Sequence, residues 1–312
     1  MREKSLWKPF LAMFLGLSAV CTAAIFIRLA QAENASSLLI ATGRLAVASL
    51  ILIPVALQRH MPEIRTLTQR DWLFITLSGF MLGIHFAAWI TSLEYTSVVN
   101  SVALVTTSPL WVALFAPIFL GEQLRQQTFI GLGLAFGGGL MMALSNTSGE
   151  APISDQPLLG NLLAVGGAIA VAFYFIIGRQ LRGHLSIITY STIVYSIAAF
   201  MLLFVIGLIG QLGEVLDLTP EAWLWIVLLG VVPQLIGHSS FNYALGFLPA
   251  GYVSLIVLAE PVGSGLLAFI FLDETPVLLQ LIGAAFILSG IFLATREQMR
   301  FVPDTETTIV PT

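Results

Sequence analysis

Arg44, His85, His238 and Glu260 lie inside long runs of apolar residues, far from the polar stretches of the chain. A charged side chain at the centre of a membrane-spanning helix costs about 2.5–3.5 kcal/mol to insert, so polar groups there are candidates for function. Arg44 stands about eight residues into its run, roughly 12 Å deep at about 1.5 Å per residue. Arginine keeps its proton, so it needs an anion or a ring of carbonyls. It can attract a carboxylate or phosphate of a substrate; a structural pair with Glu260 is the plainer account. Glu260 precedes Pro261, and its counterpart in a duplicated stretch is Ser108 before Pro109. Each proline removes one helical hydrogen bond and frees a carbonyl, near Val105 and Val257, which makes Pro109 and Pro261 candidate hinges. A protonated Glu260 can donate to such a carbonyl. A carboxyl at that depth suits proton coupling, or else it is a neutral acid patching a kink.

The softer candidates surround these four. Trp89 follows His85, and Asn242 follows His238, at one-turn spacing. Such pairs can form hydrogen-bonding rungs along a central cavity, with Trp89 as an aromatic wall, or the histidines can be neutral bridges between helices. Asn100, Ser101, Thr106, Thr107 and Ser108 give one run a polar side. Single Ser and Thr residues commonly bond their own helix carbonyls, and from this group Asn100 and Thr107 are kept as candidate substrate contacts. Tyr174 lies too deep for an interfacial belt and joins them. His60, His85, His184 and His238 have no metal-ligand spacing. Gly137, Gly138 and Gly139 sit inside an apolar run, not between a strand and a helix, so they form no phosphate cradle. Neither a metal nor a cofactor is expected.

The elements that position these groups follow from composition. Of 312 residues, 57% are hydrophobic and 10% charged, with mean hydropathy +0.94. A soluble domain carries about 25% charged residues, so this chain belongs in a bilayer. Lysine occurs only at positions 4 and 8, no basic stripe exists, and nucleic acid is not an expected partner. The lone Cys21 allows no disulfide framework. A span needs about 20 apolar residues. Ten fit: 9–28, 36–57, 72–93, 97–120, 127–145, 158–178, 185–209, 222–245, 249–272 and 277–295. Under this count Arg2, Lys4, Lys8, Arg59, Arg65, Arg70, Arg125, Arg179, Arg182, Arg296 and Arg300 share one face, with Arg28 the exception on the other. Glu33, Glu94, Glu150, Asp155, Glu214, Asp217, Glu221, Asp273 and Glu274 share the opposite face. Positive residues mark the cytoplasmic side, so both termini are expected there, in a multi-pass protein of the cell membrane.

The chain is also doubled. Pro109 to Glu122 (PLWVALFAPIFLGE) returns 152 positions later as Pro261 to Glu274 (PVGSGLLAFIFLDE), with seven of fourteen positions identical. Ile130-Gly131 matches Ile282-Gly283, Gly138 matches Gly290, and Trp72 and Gly79 match Trp223 and Gly230. Five spans per copy force the second copy to enter the membrane from the other face, giving an inverted repeat. The expected units are a five-helix repeat over 1–145, a linker at 146–157, a second repeat over 158–296 and a disordered polar tail at 297–312. Small residues at Gly79/Gly83, Gly131/Gly138 and Gly283/Gly290 read as close helix packing.

Ten spans in two copies resemble the EamA family of the drug/metabolite transporter superfamily. The resemblance rests on a fourth span of each copy running from proline into LGE or LDE, and on Gly-rich fifth spans GLGLAFGGGL and GAAFILSGIF. It covers about residues 8–295. It implies a permease that moves small organic solutes, often amino acids or other metabolites and commonly outward. An arginine in the second span and an acid-proline pair in the ninth also look like that family. A small-molecule substrate, the bilayer and protons are the partners this suggests. A membrane enzyme would need converging acids or a metal set, a receptor would need a soluble output region, and an uncoupled channel stays open as an alternative. No Walker motif supports direct ATP drive.

Overall fold

The computed structural model describes residues 7–96, 98–122, 126–145, 155–272 and 276–300. Positions 146–154 of the expected linker, the tail beyond Arg300, and Arg2, Lys4, Arg125, Glu150, Asp273 and Glu274 of the charge pattern lie outside the described residues. So do the side chains of Asn100, Arg296 and Arg300.

Every regular element among the described residues is a helix. Helix α1 runs Trp7–Val20 and resumes as Ala23–Ala32; α2 is Ser37–Arg59 and α3 is Gln69–Tyr95. Helix α4 is Val98–Val105 followed by Ser108–Leu120, and α5 is Gln126–Ser145. Then come α6 (Pro157–Leu181), α7 (Ile187–Leu208), α8 (Pro220–Leu229, continued by Gly230–His238 and Ser239–Leu245), α9 (Ala250–Val257, then Glu260–Leu272) and α10 (Leu278–Arg300). Among the described residues eight helical stretches are long and apolar enough to cross a membrane, and Leu278–Leu293 is a shorter apolar one. The chain is a multi-pass membrane protein. Large apolar side chains such as Leu50, Ile118, Phe200 and Phe292 cover its outside, as lipid requires, while arginine and histidines are buried within.

Local chemistry sets the helix ends. Thr68 and Asp71 form a reciprocal capping box at the start of α3. The Thr219 hydroxyl accepts from Ala222 N just before Pro220 opens α8. Gly121, at φ +67°, closes α4 in a left-handed conformation that a side chain would resist.

Interruptions inside the helices also have causes. Pro109 and Pro261 each take the second position of a new helical segment, where a missing N–H costs nothing. The ladder therefore breaks just upstream, at Thr106–Thr107 and at Leu258–Ala259. In α8, Pro233 lies within a π-helical stretch, Gly230–His238. A proline removes one N–H and crowds the preceding turn, and a wider turn relieves both.

Helix pairing obeys a two-fold relation. Helix α3 packs along α6, and its counterpart α8 packs along α1; α2 pairs with its own counterpart α7, and α5 with α10. Glycine contacts give the register. A Cβ built on Gly79 would meet the Val194 carbonyl and the Ile197 side chain, and one on Gly230 would meet the Arg44 carbonyl and the Val47 side chain. Repeat mates thus touch repeat mates, and Val194 is the structural counterpart of Arg44. At the α5–α10 seam a Cβ on Gly138 would clash with the Gly283 carbonyl, and one on Gly290 with the Gly131 carbonyl. Between Gly230 and Gly237 the register slips by one residue. The Gly16 Cβ would meet the Gly237 carbonyl, as that of Gly167 meets the His85 carbonyl. The π-helical stretch supplies that extra residue, so the counterpart of His85 is Gly237, and His238 is one position beyond it.

The connection after α2 is tied to the start of α7. Glu63 accepts from Ser186 N and Oγ, both at 2.5 Å, and from Thr189 Oγ1 at 2.6 Å. Burial alone would raise this carboxyl's pKa, but hydrogen bonds from Ser186, Thr189 and His60 outweigh it and hold it below the ordinary value.

Two outcomes follow. Gly138→Ala should destabilise the protein by about 1–3 kcal/mol through overpacking. Gly137→Ala and Gly139→Ala, where the added Cβ meets nothing within 4 Å, should be neutral or slightly stabilising; equal melting shifts for all three would refute the seam. Glu63, with its folded pKa depressed, contributes stability above its ordinary value of 4.5 that is lost as pH falls through the folded value. Glu63→Gln should lower the melting temperature at pH 7 and flatten its fall at acid pH; an unchanged acid limb would show that the tether is idle.

Candidate functional site

One cavity brings together the buried Arg44, His85, His238 and Glu260. It is lined from both copies, and largely by repeat mates: Val20 with Val171, Trp89 with Phe241, Val105 with Val257, and Ser108 with Glu260. A cavity built this way lies between the two copies. Its volume is about 30 Å³, room for a water or two but for no organic solute. The centre is therefore too narrow for an organic solute as it stands.

Arg44 and Glu260 both face this space. The Arg44 side chain is fully buried. Its Nε donates to Gln234 Oε1 at 2.7 Å, which fixes the amide orientation because a guanidinium only donates. Its Cζ lies 4.0 Å from the centre of the Phe86 ring, a desolvated cation–π contact. Nη1 and Nη2 have no hydrogen-bond partner among the described residues, nor has Gln234 Nε2. The ion pairs among the described residues are His60–Glu63, Arg179–Glu122 and His184–Asp71; Arg44 and Glu260 form none. The plain structural pairing of Arg44 with Glu260 is therefore absent. Glu260 caps the break in α9 as the first residue of its second segment, and its carbonyl lies 3.8 Å from Cys21 Sγ.

The histidines stand side by side, with ring centres 6.2 Å apart. His85 Nδ1 donates to the Gly167 carbonyl at 2.9 Å, and its ring stacks on Trp89 at 5.9 Å. His238 packs edge-on against Phe86 at 5.1 Å, and its Nδ1 is unpartnered, as is Trp89 Nε1. Both rings line the cavity.

Other candidates lie elsewhere. Tyr174 Oη donates to Asn242 Oδ1 at 2.7 Å, and Asn242 Nδ2 donates to Ser191 Oγ and Tyr195 Oη at 3.3 and 3.2 Å. This satisfied network sits behind the cavity wall and locks α6, α7 and α8 together. Thr107 donates to the Leu104 carbonyl at 2.7 Å and accepts from Trp111 Nε1 at 3.3 Å at the break in α4. Asn100 lies in the first part of α4. Pro109 and Pro261 follow the two breaks, and Val105 and Val257, just before those breaks, line the cavity.

Gln234 and Phe86 contact Arg44 without being singled out by the sequence. Gln234 carried a signal, an amide beside a proline deep in an apolar run. Phe86 carried none, since it is one of 21 phenylalanines. Glu122, which ends the LGE motif, binds Arg179 Nε at 2.7 Å and accepts from Ala250 N at 3.1 Å. It clamps the ends of α4 and α6 to the start of α9.

Comparison with known proteins bears on the family and the fold. An uncharacterized transporter of Archaeoglobus fulgidus is 26% identical over 213 residues, 68% of this chain and 72% of that protein. The uncharacterized transporter YdfC of Bacillus subtilis is 27% identical over 259 residues, 81% of this chain and 79% of the relative. A solved crystal structure superimposes with a TM-score of 0.74 at 18% identity, over 94% of this chain and 99% of the other, which establishes the fold. Residues 8–144 and 158–296 each match the EamA-like transporter family, so the chain carries two copies of its module. This protein is a member of the EamA-like transporter family.

Proposed function

We propose that this protein is a secondary transporter of small organic metabolites such as amino acids, working by alternating access about the central cavity. In this reading residues 1–145 and 158–296 are two five-span repeats of opposite orientation, both termini are cytoplasmic, and the direction is commonly outward. The site is formed by Arg44, His85, Trp89 and His238. Glu260 is the proton-carrying group, and Pro109 and Pro261 mark the hinges. Asn100, Thr107, Tyr174 and Asn242 act as supporting contacts that tune its shape. The chemistry is transport rather than catalysis: the family and the relatives' names point that way.

The single observation that carries the proposal is the narrow cavity built largely from repeat mates, with Arg44 donors at its wall that have no partner among the described residues. An occupant of organic size can enter only if one half moves against the other. An inverted repeat provides that motion, because rocking the halves exchanges which face is open. An uncoupled channel is the alternative, and a centre this narrow argues against a standing pore for organic solutes.

The test begins with a thermal-shift screen of purified protein against amino acids, nucleosides and amphipathic toxic compounds. A stabilising solute should then show saturable uptake into vesicles that is stimulated by the same solute trapped inside. Uptake without such counterflow would mean a channel, and a chemically altered solute would mean an enzyme. Arg44→Ala should weaken affinity for anionic solutes by about tenfold or more, the worth of a charge-assisted hydrogen bond, while Arg44→Lys keeps part of it. Unchanged transport in Arg44→Ala would remove Arg44 from the site. Glu260→Gln should separate transport from pH, and a parental pH profile would make Glu260 structural.

A further inference from the structure

The cavity holds one permanent positive charge and one carboxyl, and the two do not touch. Arg44 retains its proton at any pH the cell meets. Removing an ion from water costs several kcal/mol unless an opposite charge accompanies it. Gln234 supplies an oxygen and Phe86 a ring face, but neither supplies a negative charge. Waters in the cavity could satisfy the free N–H groups without neutralising the guanidinium. The charged or titratable side chains that line this space are Arg44 from α2, His85 from α3, His238 from α8 and Glu260 from α9, with Cys21 of α1 alongside. Helices α4 and α6 contribute Val105, Thr106, Ser108, Val171 and Phe175, none of which titrates. Behind the wall, Tyr174, Tyr190 and Tyr195 are engaged in hydrogen bonds. Neutralising Arg44 therefore falls to the Glu260 carboxylate or to an anion brought in from outside.

We propose that Glu260 and a bound organic monoanion are alternative counter-ions of Arg44, so that the site takes up one proton with each anion. In the empty cavity the carboxylate balances the guanidinium across the space. When the halves part and an oxyanion head docks on Nη1 and Nη2, a second negative charge beside the same cation is expelled by protonation: the proton comes from water and stays on the Glu260 carboxyl. The loaded site then carries the same net charge as the empty one. The head-group is an oxyanion because Arg44 Nη1 and Nη2 and Trp89 Nε1, unpartnered among the described residues and on residues that line the cavity, can only donate, while His238 Nδ1 can donate or accept according to its tautomer. The body is largely apolar because Val20, Ala23, Val105, Val171, Phe175, Phe241 and Val257 form most of the remaining wall, with Thr106 and Ser108 as its polar part. A zwitterion would bring its own cation to Glu260 and would need no proton.

This inference rests on the transport reading for its biological sense, but its test does not. The full-length protein in detergent is titrated with monocarboxylates from acetate to benzoate and with alanine and phenylalanine as zwitterions. Calorimetry in buffers of different ionisation enthalpy counts the protons taken up. The expected result is that a monocarboxylate binds with one proton taken up, and that its affinity falls by up to about tenfold per pH unit, the limit for one linked proton. In Glu260→Gln the proton uptake and the pH slope disappear. In Arg44→Gln monocarboxylate binding is lost, and Arg44→Lys, which keeps the charge, shows that the fold survives changes there. Monocarboxylate binding without proton uptake overturns the proposal. So does a panel in which only zwitterions bind, or none does. Counterflow of the bound solute is measured separately. Counterflow without proton uptake sinks this proposal and leaves transport standing, whereas proton-linked binding without counterflow does the reverse.

Discussion

The structure turns on the burial of Arg44 between the two copies. A guanidinium held fully out of water must be compensated locally. Much of the surrounding backbone can be traced to that need. Gly230 lets α8 approach the Arg44 carbonyl closely, and Gln234 follows one turn later to receive Nε. The π-helical stretch that contains Pro233 sets the turn from which Gln234 reaches across. Phe86, from α3, closes the other side of the charge. Three helices, α2, α3 and α8, thus meet at one side chain.

Duplication supplies the scaffold, and departures from it supply the chemistry. The glycine contacts repeat between the halves, as do the helix breaks before Pro109 and Pro261. The charges do not. Arg44 faces a counterpart of Val194, and Glu260 a counterpart of Ser108. The register slip in α8 likewise sets His238 one position away from symmetry with His85. A symmetric cavity would present the same groups to both halves. This one places a cation and an acid at different points of a shared wall, which is what recognition of an asymmetric solute requires.

Much of the fold was legible because lipid imposes strong rules. Apolar runs marked the helices, and the repeated Pro-to-Glu motif revealed the two copies. The glycines read as packing residues at 79, 83, 131, 138, 283 and 290 lie at tight helix contacts or beside them. The break positions were legible only approximately. Proline announces a kink, yet the ladder fails upstream, where the missing N–H would have bonded. Arg44, His85, Trp89, His238 and Glu260 were found by asking which polar groups lie too deep, and all five line the cavity. The same question also selected Tyr174 and Asn242, because depth alone cannot tell a side chain facing a cavity from one bonded within the wall. Gln234 escaped because its importance lies in what it touches, and a long-range contact leaves no trace in local spacing. The offset between the two histidines was visible in the alignment, but its cause, a wider turn, required backbone geometry.

The places where the helices are already broken bear on how the centre could open. Bending an intact helix sacrifices hydrogen bonds that lipid cannot replace. At Thr106–Thr107 and Leu258–Ala259 the regular ladder is already interrupted, and the Thr106 and Thr107 hydroxyls bond nearby carbonyls. Rotation there adds little to the cost. The α5–α10 seam, by contrast, brings backbone against backbone at Gly138 and Gly290, and separating it would expose polar groups along its length. The Tyr174–Asn242 network similarly resists shear between α6 and α8. Bending of α4 and α9 at these breaks would move Val105 and Val257, which line the cavity together with Arg44 and Glu260.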